Sequence, residues 1–298
     1  MSFPGIFSIV LPVGNYDLAA TLTSGQAFRW RRVEDGWEGV IFGRWVRFVQ
    51  ITEGIRVEVV QRDDDWTWLE EYLQTGVKIE EITASFPRDE HLAAAAQACL
   101  GLRLLRQEPW ECLASFILSS TKQIVQIQQI VEMLCERFGQ PVAVPPGHPV
   151  AWSFPSAQRL ATLSEERLRC CKMGFRAPYL SKSAKMIAGG ELDLSGIAAL
   201  NVEDARRELL RLPGVGRKIA DCALLFAYGF QQAFPVDVWV LKALRTLYFP
   251  RRPPSARRLL DFTQTYFGPN AGYAQQYLFH YMRTHVGRKE GRASLPRK

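Results

Sequence analysis

The chain has 298 residues, of which 47% are hydrophobic and 22% are charged, proportions typical of a soluble globular protein with two or three domains. A formal charge of +7 and a pI near 9.2 favour a polyanionic partner such as nucleic acid, without requiring one. No apolar run reaches the length of a membrane span, and the first 14 residues have neither a basic start nor a cleavage pattern, so we expect neither a membrane protein nor a secreted one.

The chain to about residue 62 has the pattern of β-strands. Short runs of β-branched and aromatic residues (FRWRRV, WEGVIF, RWVRFVQI and IRVEVVQ) are separated by turns at Asp35-Gly36, Gly43 and Glu53-Gly54. These runs predict a twisted antiparallel sheet of about five strands. We place this sheet in an N-terminal β-rich domain, residues 1–100, which also includes the helices that follow the strands.

From Asp63 onward the periodicity is helical. Helices are predicted over residues 63–74, 78–86, 89–99, 108–119 and 122–138. A Pro- and Gly-rich segment at 139–156 is expected to form a long loop between two helical lobes. The predicted fold class is therefore α+β, with the sheet domain followed by a two-lobed all-α core at 101–245. C-terminal helices and a basic tail, 246–298, are expected to pack back on that core.

Residues 202–228 predict two helices joined by a glycine hairpin. Asn201 can cap the first helix, and the segment LPGVG at 212–216 ends it, because proline lacks an N–H and glycine permits positive φ. The second helix starts directly afterwards, so its free N–H groups face solvent and can bind a DNA phosphate. The hairpin residues assigned to DNA binding are Gly214, Val215 and Gly216.

Lys218 lies in the first turn of the second hairpin helix. A cation is unfavourable at the positive end of a helix, which favours the uncharged, nucleophilic amine. Cys222 lies one turn later on the same face. Asp237, in the segment PVDV, is predicted to cap a third helix, so an amine and a carboxylate can converge although nineteen positions separate them.

The motif LPGVG-x-K followed by PVDV resembles the helix-hairpin-helix DNA glycosylases. Within them it is most similar to the 8-oxoguanine DNA glycosylases of the type first known from eukaryotes, over about residues 15–286. The resemblance implies a bifunctional glycosylase and AP lyase that acts on double-stranded DNA containing oxidised guanine and flips the damaged base out. The lysine nucleophile of the family falls on Lys218 and its essential aspartate on Asp237.

The resemblance also implies a pocket for the damaged base. Residues 24–30 resemble the family's SGQ-x-FRW segment, in which the glycine carbonyl reads the N7 proton of oxidised guanine, and Gly25 would be that glycine. Gln275 would bind the pairing edge of the base, Phe279 would stack on one face and Cys222 would cover the other. A plain turn glycine, a solvated Gln275 and a core Phe279 are the competing interpretations.

Four further residues correspond to family groups around the flipped base. Thr121 stands where the family has an asparagine that enters the gap in the stack, and Gln126 replaces an arginine that pairs with the opposite cytosine. The segment MGFRA resembles the one that provides a wedge aromatic and a cytosine-reading arginine, here Phe175 and Arg176. The competing interpretations are a core phenylalanine and a phosphate-contacting arginine.

Neither a metal nor another cofactor is expected. His280 and His285 are five positions apart, which is not the spacing of a helical metal pair. Some related enzymes hold an iron–sulfur cluster with four closely spaced C-terminal cysteines, whereas the last cysteine here is Cys222. Without C-x-x-C spacing, the cysteines indicate reduced intracellular thiols. We expect a monomer in the cytoplasm and nucleoid of a bacterium or in the nucleus of a eukaryote.

Two other functions remain open from the sequence. A lyase acting on a different damaged base, such as an alkylated base or an oxidised pyrimidine, would use the same lysine. A non-catalytic helix-hairpin-helix protein would use the hairpin only to bind backbone phosphates. The pairing of Lys218 with Asp237 disfavours the second, because a phosphate-binding module has no need of a carboxylate near DNA.

Overall fold

The computed structural model describes residues 5–286 and begins with an antiparallel sheet. Its strands pair in the order β1-β5-β4-β3-β2, which confirms the predicted five-stranded sheet. They are β1 (Phe7–Pro12), β2 (Arg31–Arg32), β3 (Trp37–Ile41), β4 (Arg44–Ile51) and β5 (Gly54–Val59). The sequence pattern did not single out β1, which completes the sheet by pairing with β5.

Alternation along β5 explains how the sheet packs. Ile55 and Val57 are fully buried on one face, while Glu58 on the other face pairs with Arg47 of β4 at 2.9 Å. On the buried face Phe48 stacks on Trp30, with ring centroids 4.9 Å apart. The sheet thus has one apolar face for the core and a second, mixed face on which ion pairs lie beside the buried side chains of Trp45 and Val49.

The rest of the described chain is mainly helical. The first helices are α1 (Leu18–Thr23), α2 (Thr67–Leu73), α3 (Ile79–Ala84), α4 (Glu90–Ala98), α5 (Pro109–Leu118), α6 (Ile124–Phe138) and α7 (Ala157–Ala161). They are followed by α8 (Glu165–Arg169), α9 (Ala177–Ala188), α10 (Val202–Leu209), α11 (Arg217–Ala223), α12 (Val238–Ala243), α13 (Ala256–Thr265) and α14 (Ala271–Tyr281). π-Helical turns at Leu224–Tyr228, Leu244–Tyr248 and Met282–Val286 extend α11, α12 and α14.

Two predictions about local structure need correction. Residues 139–156 are not only loop, because two short strands, Pro141–Val142 and Ala151–Trp152, pair within them. The helix α1 was missed, since six residues are too few for a periodic pattern; Asp17 caps it by accepting a hydrogen bond from Ala20 N–H at 2.8 Å.

The first and last parts of the described chain are packed together. Helix α14 lies against α4, and the Tyr277 hydroxyl donates to Leu102 O at 3.1 Å. The Gln26 amide donates to Arg103 O at 2.8 Å and accepts from Leu105 N–H at 2.8 Å, so the turn after α1 is fixed to the helical core. The division at residues 1–100, 101–245 and 246–298 stays a prediction.

Within residues 5–286 no helix is long and apolar enough to cross a membrane. Apart from Val286, the predicted basic tail lies outside the described residues.

The glycine hairpin between α10 and α11 has the predicted form, with Asn201 capping α10 through Asp204 N–H at 3.0 Å. Gly214 has φ +79°, and a Cβ at that position would lie 2.6 Å from the ring of Tyr179 on α9. Only glycine therefore permits this close contact between the hairpin and α9.

An ion pair joins the two hairpin helices. Arg206 of α10 and Asp221 of α11 are 3% and 2% exposed, and Nε lies 2.6 Å from Oδ1. Removing one partner of a buried pair leaves the other charge buried without compensation. This pair therefore ties the packing of α10 to the position of α11.

We expect Arg206→Ala to lower the free energy of unfolding by about 3 kcal/mol, because the buried Asp221 carboxylate loses its partner at 2.6 Å and keeps the more distant Arg217 Nε, at 3.7 Å. The matched control is Arg207→Ala on the same helix, whose pair with Asp204 is exposed and should contribute less than about 1 kcal/mol. Urea unfolding of both variants measures the difference. Equal losses would show that the buried pair does not hold the hairpin.

Candidate active site

The Lys218 amine lies at the start of α11, against the end of α5. Its Nζ donates a hydrogen bond to Ser119 Oγ at 3.2 Å and lies 4.9 Å from the centroid of the Phe116 ring. The Ser119 hydroxyl in turn donates to Phe116 O at 2.7 Å. Because that proton is already used, Ser119 can only accept from the amine. The contact therefore leaves the lone pair of an uncharged amine free.

Cys222 is 3% exposed and lies one turn after Lys218. Burial raises the pKa of its thiol to about 12, the charge of Lys218 lowers that pKa, and the charge of Asp237 raises it. Both charged groups are thus close enough to act on one buried, neutral sulfur. The structure brings together the amine, thiol and carboxylate that the sequence placed on two different helices.

Asp237 caps α12, as predicted, and its Oδ1 accepts a hydrogen bond from Val240 N–H at 2.8 Å. Burial raises the pKa of this carboxyl group, while the Val240 hydrogen bond and the charge of Lys218 oppose the rise. The cap fixes the rotamer of Asp237, so the carboxylate has a defined position relative to Lys218.

Gly25 contacts the predicted stacking residue. It has φ +78°, and a Cβ there would lie 3.3 Å from Phe279 Cε1 and 3.0 Å from Ile124 Cδ1. Gln276 Nε2 donates to Ser24 O at 2.9 Å, which fixes α14 to this turn. The positive φ therefore favours glycine, and a Cβ here would also require the Phe279 and Ile124 side chains to shift slightly.

Gln275 is buried at 4% exposure, so the interpretation of this side chain as solvated is wrong. Its Oε1 has no hydrogen-bond partner among the residues of the described part of the chain. A buried polar atom without a partner is costly, and a donor from a ligand would relieve that cost. Phe279, at i+4, is half-buried, and the Arg283 guanidinium lies 5.5 Å from its ring centroid.

Phe175 is 54% exposed, so it is not a core residue. Its ring lies edge-on to Tyr179 with centroids 6.4 Å apart, and Tyr179 packs against Gly214 of the hairpin. An exposed aromatic ring is thus held next to the hairpin that is predicted to bind phosphates.

Arg176 is 3% exposed and its guanidinium is directed toward the loop after α5. Nη1 donates to Met173 O at 3.2 Å, and Nη2 donates to Thr121 Oγ1 at 2.6 Å and to Ser120 O. Thr121 is exposed and has φ +58°, a left-handed conformation that is uncommon for a β-branched residue. In this conformation Arg176 contacts protein rather than solvent.

Gln126 has a local partner. Its Oε1 accepts from Gln123 N–H at 3.1 Å, so the side chain binds the start of its own helix, α6. The residue is exposed and lies one turn from Gln123 on the surface.

One hairpin assignment needs correction. Val215 is buried, and its N–H donates to Leu212 O at 3.1 Å, so it offers no free donor to a phosphate. Helix α11 begins at Arg217, and the first N–H groups of a helix have no intrahelical acceptor. The donors without an intrahelical acceptor are therefore those of Gly216, Arg217 and Lys218, and Val215 instead closes the hairpin turn.

No group of three or more metal-binding side chains occurs among residues 5–286. His280 is buried, which lowers its pKa to about 4, whereas His285 is exposed. A cavity of about 380 Å³ beside Lys218 lies between α10, α11 and α13, and none of Gly25, Cys222, Gln275 or Phe279 lines it. This cavity is therefore distinct from the predicted base pocket.

Two residues that contact Lys218, the predicted nucleophile, were not among those predicted from the sequence. Phe116 and Ser119 precede Lys218 by about a hundred positions, and α5 gives no local signal that α11 packs on it. Ser119 does stand in the segment that resembles the family's asparagine run, which is the one signal that could have drawn attention to it.

Comparison with known protein families covers nearly the whole chain. Residues 8–113 match the N-terminal domain of 8-oxoguanine DNA glycosylase, and residues 114–265 match the HhH-GPD superfamily of base excision DNA repair proteins. The chain is 29% identical to the probable N-glycosylase/DNA lyase of Methanothermobacter thermautotrophicus, over 92% of this chain and 95% of that protein. It is 27% identical to N-glycosylase/DNA lyase OGG1 of Arabidopsis thaliana, over 93% and 80%.

A solved structure shows the same similarity in three dimensions. The 8-oxoguanine glycosylase/lyase of Clostridium acetobutylicum, in complex with double-stranded DNA containing cytosine opposite 8-oxoguanine, superimposes with a TM-score of 0.87. The identity is 33%, and 96% of this chain and 100% of that chain are covered. With both of its parts matched in this way, the chain belongs to the HhH-GPD superfamily of base excision DNA repair proteins, and within it to the 8-oxoguanine DNA glycosylases.

Proposed function

We propose that this chain excises 8-oxoguanine from double-stranded DNA and then cuts the strand at the resulting site, acting as a monomer. The observation that carries the proposal is the convergence of three groups: the Lys218 amine, the buried Cys222 thiol and the Asp237 carboxylate. A DNA-binding module that only contacts phosphates has no use for this arrangement. The same site is consistent with the chemistry named for its relatives.

In the proposed mechanism the lone pair of Lys218 Nζ attacks C1′ of the flipped nucleotide as the C1′–N9 bond breaks and the base leaves with that electron pair. The amine loses a proton, the sugar ring opens at the C1′–O4′ bond, and a Schiff base forms. Loss of a proton from C2′ then expels the 3′ phosphate by β-elimination. Ser119 supports the first step, because it accepts an N–H of the amine without donating to the lone pair.

Asp237 stabilises the positive charge that develops on the sugar as the base leaves. Its position is fixed by the α12 cap, and fixed charge in a buried site stabilises a transition state without reorganisation. The carboxylate form is the useful one, although burial raises its pKa. Lys218 lies near enough to oppose that rise.

The proposed base pocket uses the buried Gln275 Oε1, which has no partner among the described residues, and the half-buried ring of Phe279. The buried Gln275 Oε1 would accept a hydrogen bond from the pairing edge of the base, and Phe279 would stack on its face. The Gly25 carbonyl would read the N7 proton that distinguishes 8-oxoguanine from guanine. Cys222 would cover the opposite face as a neutral thiol.

Duplex DNA would be held by the hairpin and the exposed aromatic ring. The outward N–H groups at the start of α11 would bind a backbone phosphate, and Phe175 would wedge between bases beside the flipped nucleotide. Because Lys218 belongs to the same helix turn, a phosphate bound there would also place the sugar near its amine.

Lys218→Gln should abolish both strand cleavage and the borohydride-trapped adduct on a duplex containing one 8-oxoguanine, while binding to the same duplex remains. The reason is that only an amine can form the Schiff base. Lys78→Gln, at an exposed lysine paired with Glu81, is the control and should retain both activities. A trapped adduct in Lys218→Gln would identify a different amine as the nucleophile.

Asp237→Asn should slow single-turnover base release by about 100-fold or more, since it removes the negative charge that faces the sugar cation. For the wild type, the raised pKa of Asp237 predicts that the rate is lost as pH falls through a value above that of an ordinary aspartate. Single-turnover excision rates of the wild type and of Asp237→Asn, measured from about pH 4 to about pH 8, test both the effect of the substitution and the pH dependence. An unchanged rate for Asp237→Asn would reduce the residue to a helix cap.

We expect a weaker preference for cytosine opposite the lesion than the family pattern implies, with the residual preference resting on Arg176, because Thr121 and Gln126 replace two of the family's three readers. Cytosine presents two adjacent acceptors, O2 and N3, and a bidentate contact discriminates by about 1–3 kcal/mol. Single-turnover excision opposite each of the four bases, for wild type and Arg176→Ala, measures the preference. Arg169→Ala, at an exposed arginine, is the control. A strong cytosine preference that survives in Arg176→Ala would show that other residues read the partner base.

A further inference from the structure

The Nη2 atom of the Arg176 guanidinium is already hydrogen-bonded to the protein. Nη2 donates to Ser120 O and to Thr121 Oγ1, the latter at 2.6 Å, while Nη1 has one bond, to Met173 O. Nε is buried and has no partner among the described residues. Of the five N–H groups, both of those on Nη2 therefore face acceptors in the loop after α5.

These hydrogen bonds limit the contacts that Arg176 can make with a base. A guanidinium contacts two adjacent acceptors through either the Nη1/Nη2 edge or the Nε/Nη2 edge, and both edges include Nη2. The side chain is also only 3% exposed. To read the O2 and N3 atoms of cytosine, Arg176 must first leave Thr121 and Ser120.

The loop after α5 holds Arg176 through the side chain of Thr121. Thr121 keeps a left-handed conformation, φ +58°, although a β-branched residue there is strained. Its hydroxyl accepts from Nη2, and Lys122 N–H donates to Ser119 O at 3.2 Å to close the turn. Thr121 is exposed, so its side chain has no packing role that would compensate for the strain.

We propose that Thr121 is a specificity-determining residue that weakens recognition of the opposite base, because its hydroxyl competes with cytosine for Arg176 Nη2. The proposal rests on the proposed function, in which Arg176 reads the partner base. One hydrogen bond that Arg176 Nη2 makes to cytosine is offset by the one that it gives up to Thr121. Besides being too short to fill the gap in the base stack, Thr121 therefore also opposes the contact between Arg176 and cytosine.

The test is an isosteric pair of substitutions. Thr121→Val keeps the shape and the β-branch but removes the acceptor, whereas Thr121→Ser keeps the acceptor. We expect Thr121→Val to raise the cytosine-over-adenine ratio by about fivefold, the net effect of one typical intramolecular hydrogen bond, and Thr121→Ser to leave the ratio near that of wild type. The gain should vanish in the double variant Thr121→Val, Arg176→Ala.

Two measurements keep this inference separate from the proposed chemistry. One is single-turnover excision of 8-oxoguanine opposite cytosine and opposite adenine. The other is the dissociation constant for duplexes that carry an uncleavable abasic analogue opposite the same two bases, which needs no catalysis. A Thr121→Val affinity ratio equal to that of wild type, or a gain that persists without Arg176, overturns the inference. Absence of excision with a fivefold gain in the affinity ratio would overturn the proposed function and retain this one.

Discussion

The placement of one lysine amine at the start of α11 is the constraint on which the site depends. Lys218 is held between the Phe116 ring and the Ser119 hydroxyl. At this end of the helix the partial positive charge of the backbone disfavours a further cation and favours a phosphate. The buried pair of Arg206 and Asp221 fixes α11 against α10, so the position of the amine follows from the packing of the hairpin. In the proposed function, chemistry and DNA binding therefore share a single short helix.

The N-terminal sheet contributes to this site through one turn. The Gln26 amide fixes the turn to the backbone at Arg103 and Leu105, and Gln276 fixes it to α14. As a result Gly25 lies against Phe279, a residue more than 250 positions later. The turn after α1 therefore closes one side of the predicted base pocket against α14, although none of the predicted catalytic residues lies in the sheet.

The site residues carry several local features that stability alone would not favour. Gln275 Oε1 and Arg176 Nε are buried without partners in the described residues, and Thr121 has a left-handed backbone. Such features are typical of functional sites, where a ligand relieves what the free protein leaves unpaired. In the proposed function Gln275 takes the damaged base and Arg176 its partner.

The sequence by itself determined the features that depend on neighbouring residues: the Asn201 and Asp237 caps, the glycine hairpin, the alternation of the sheet, and the Gln275–Phe279 spacing. These are set by local hydrogen bonds and by periodicity, which the order of residues displays directly. The helix α1 and the strand β1 were not predicted, because α1 is too short to show a periodic pattern and β1 has no turn signal beside it. Tertiary structure alone decided that Ser119 and Phe116 hold Lys218, that Val215 faces inward and that Arg176 binds Thr121. Most of those contacts join residues that are far apart in the sequence. Only the packing of the whole chain selects which of the possible partners meet and which side chains are turned inward.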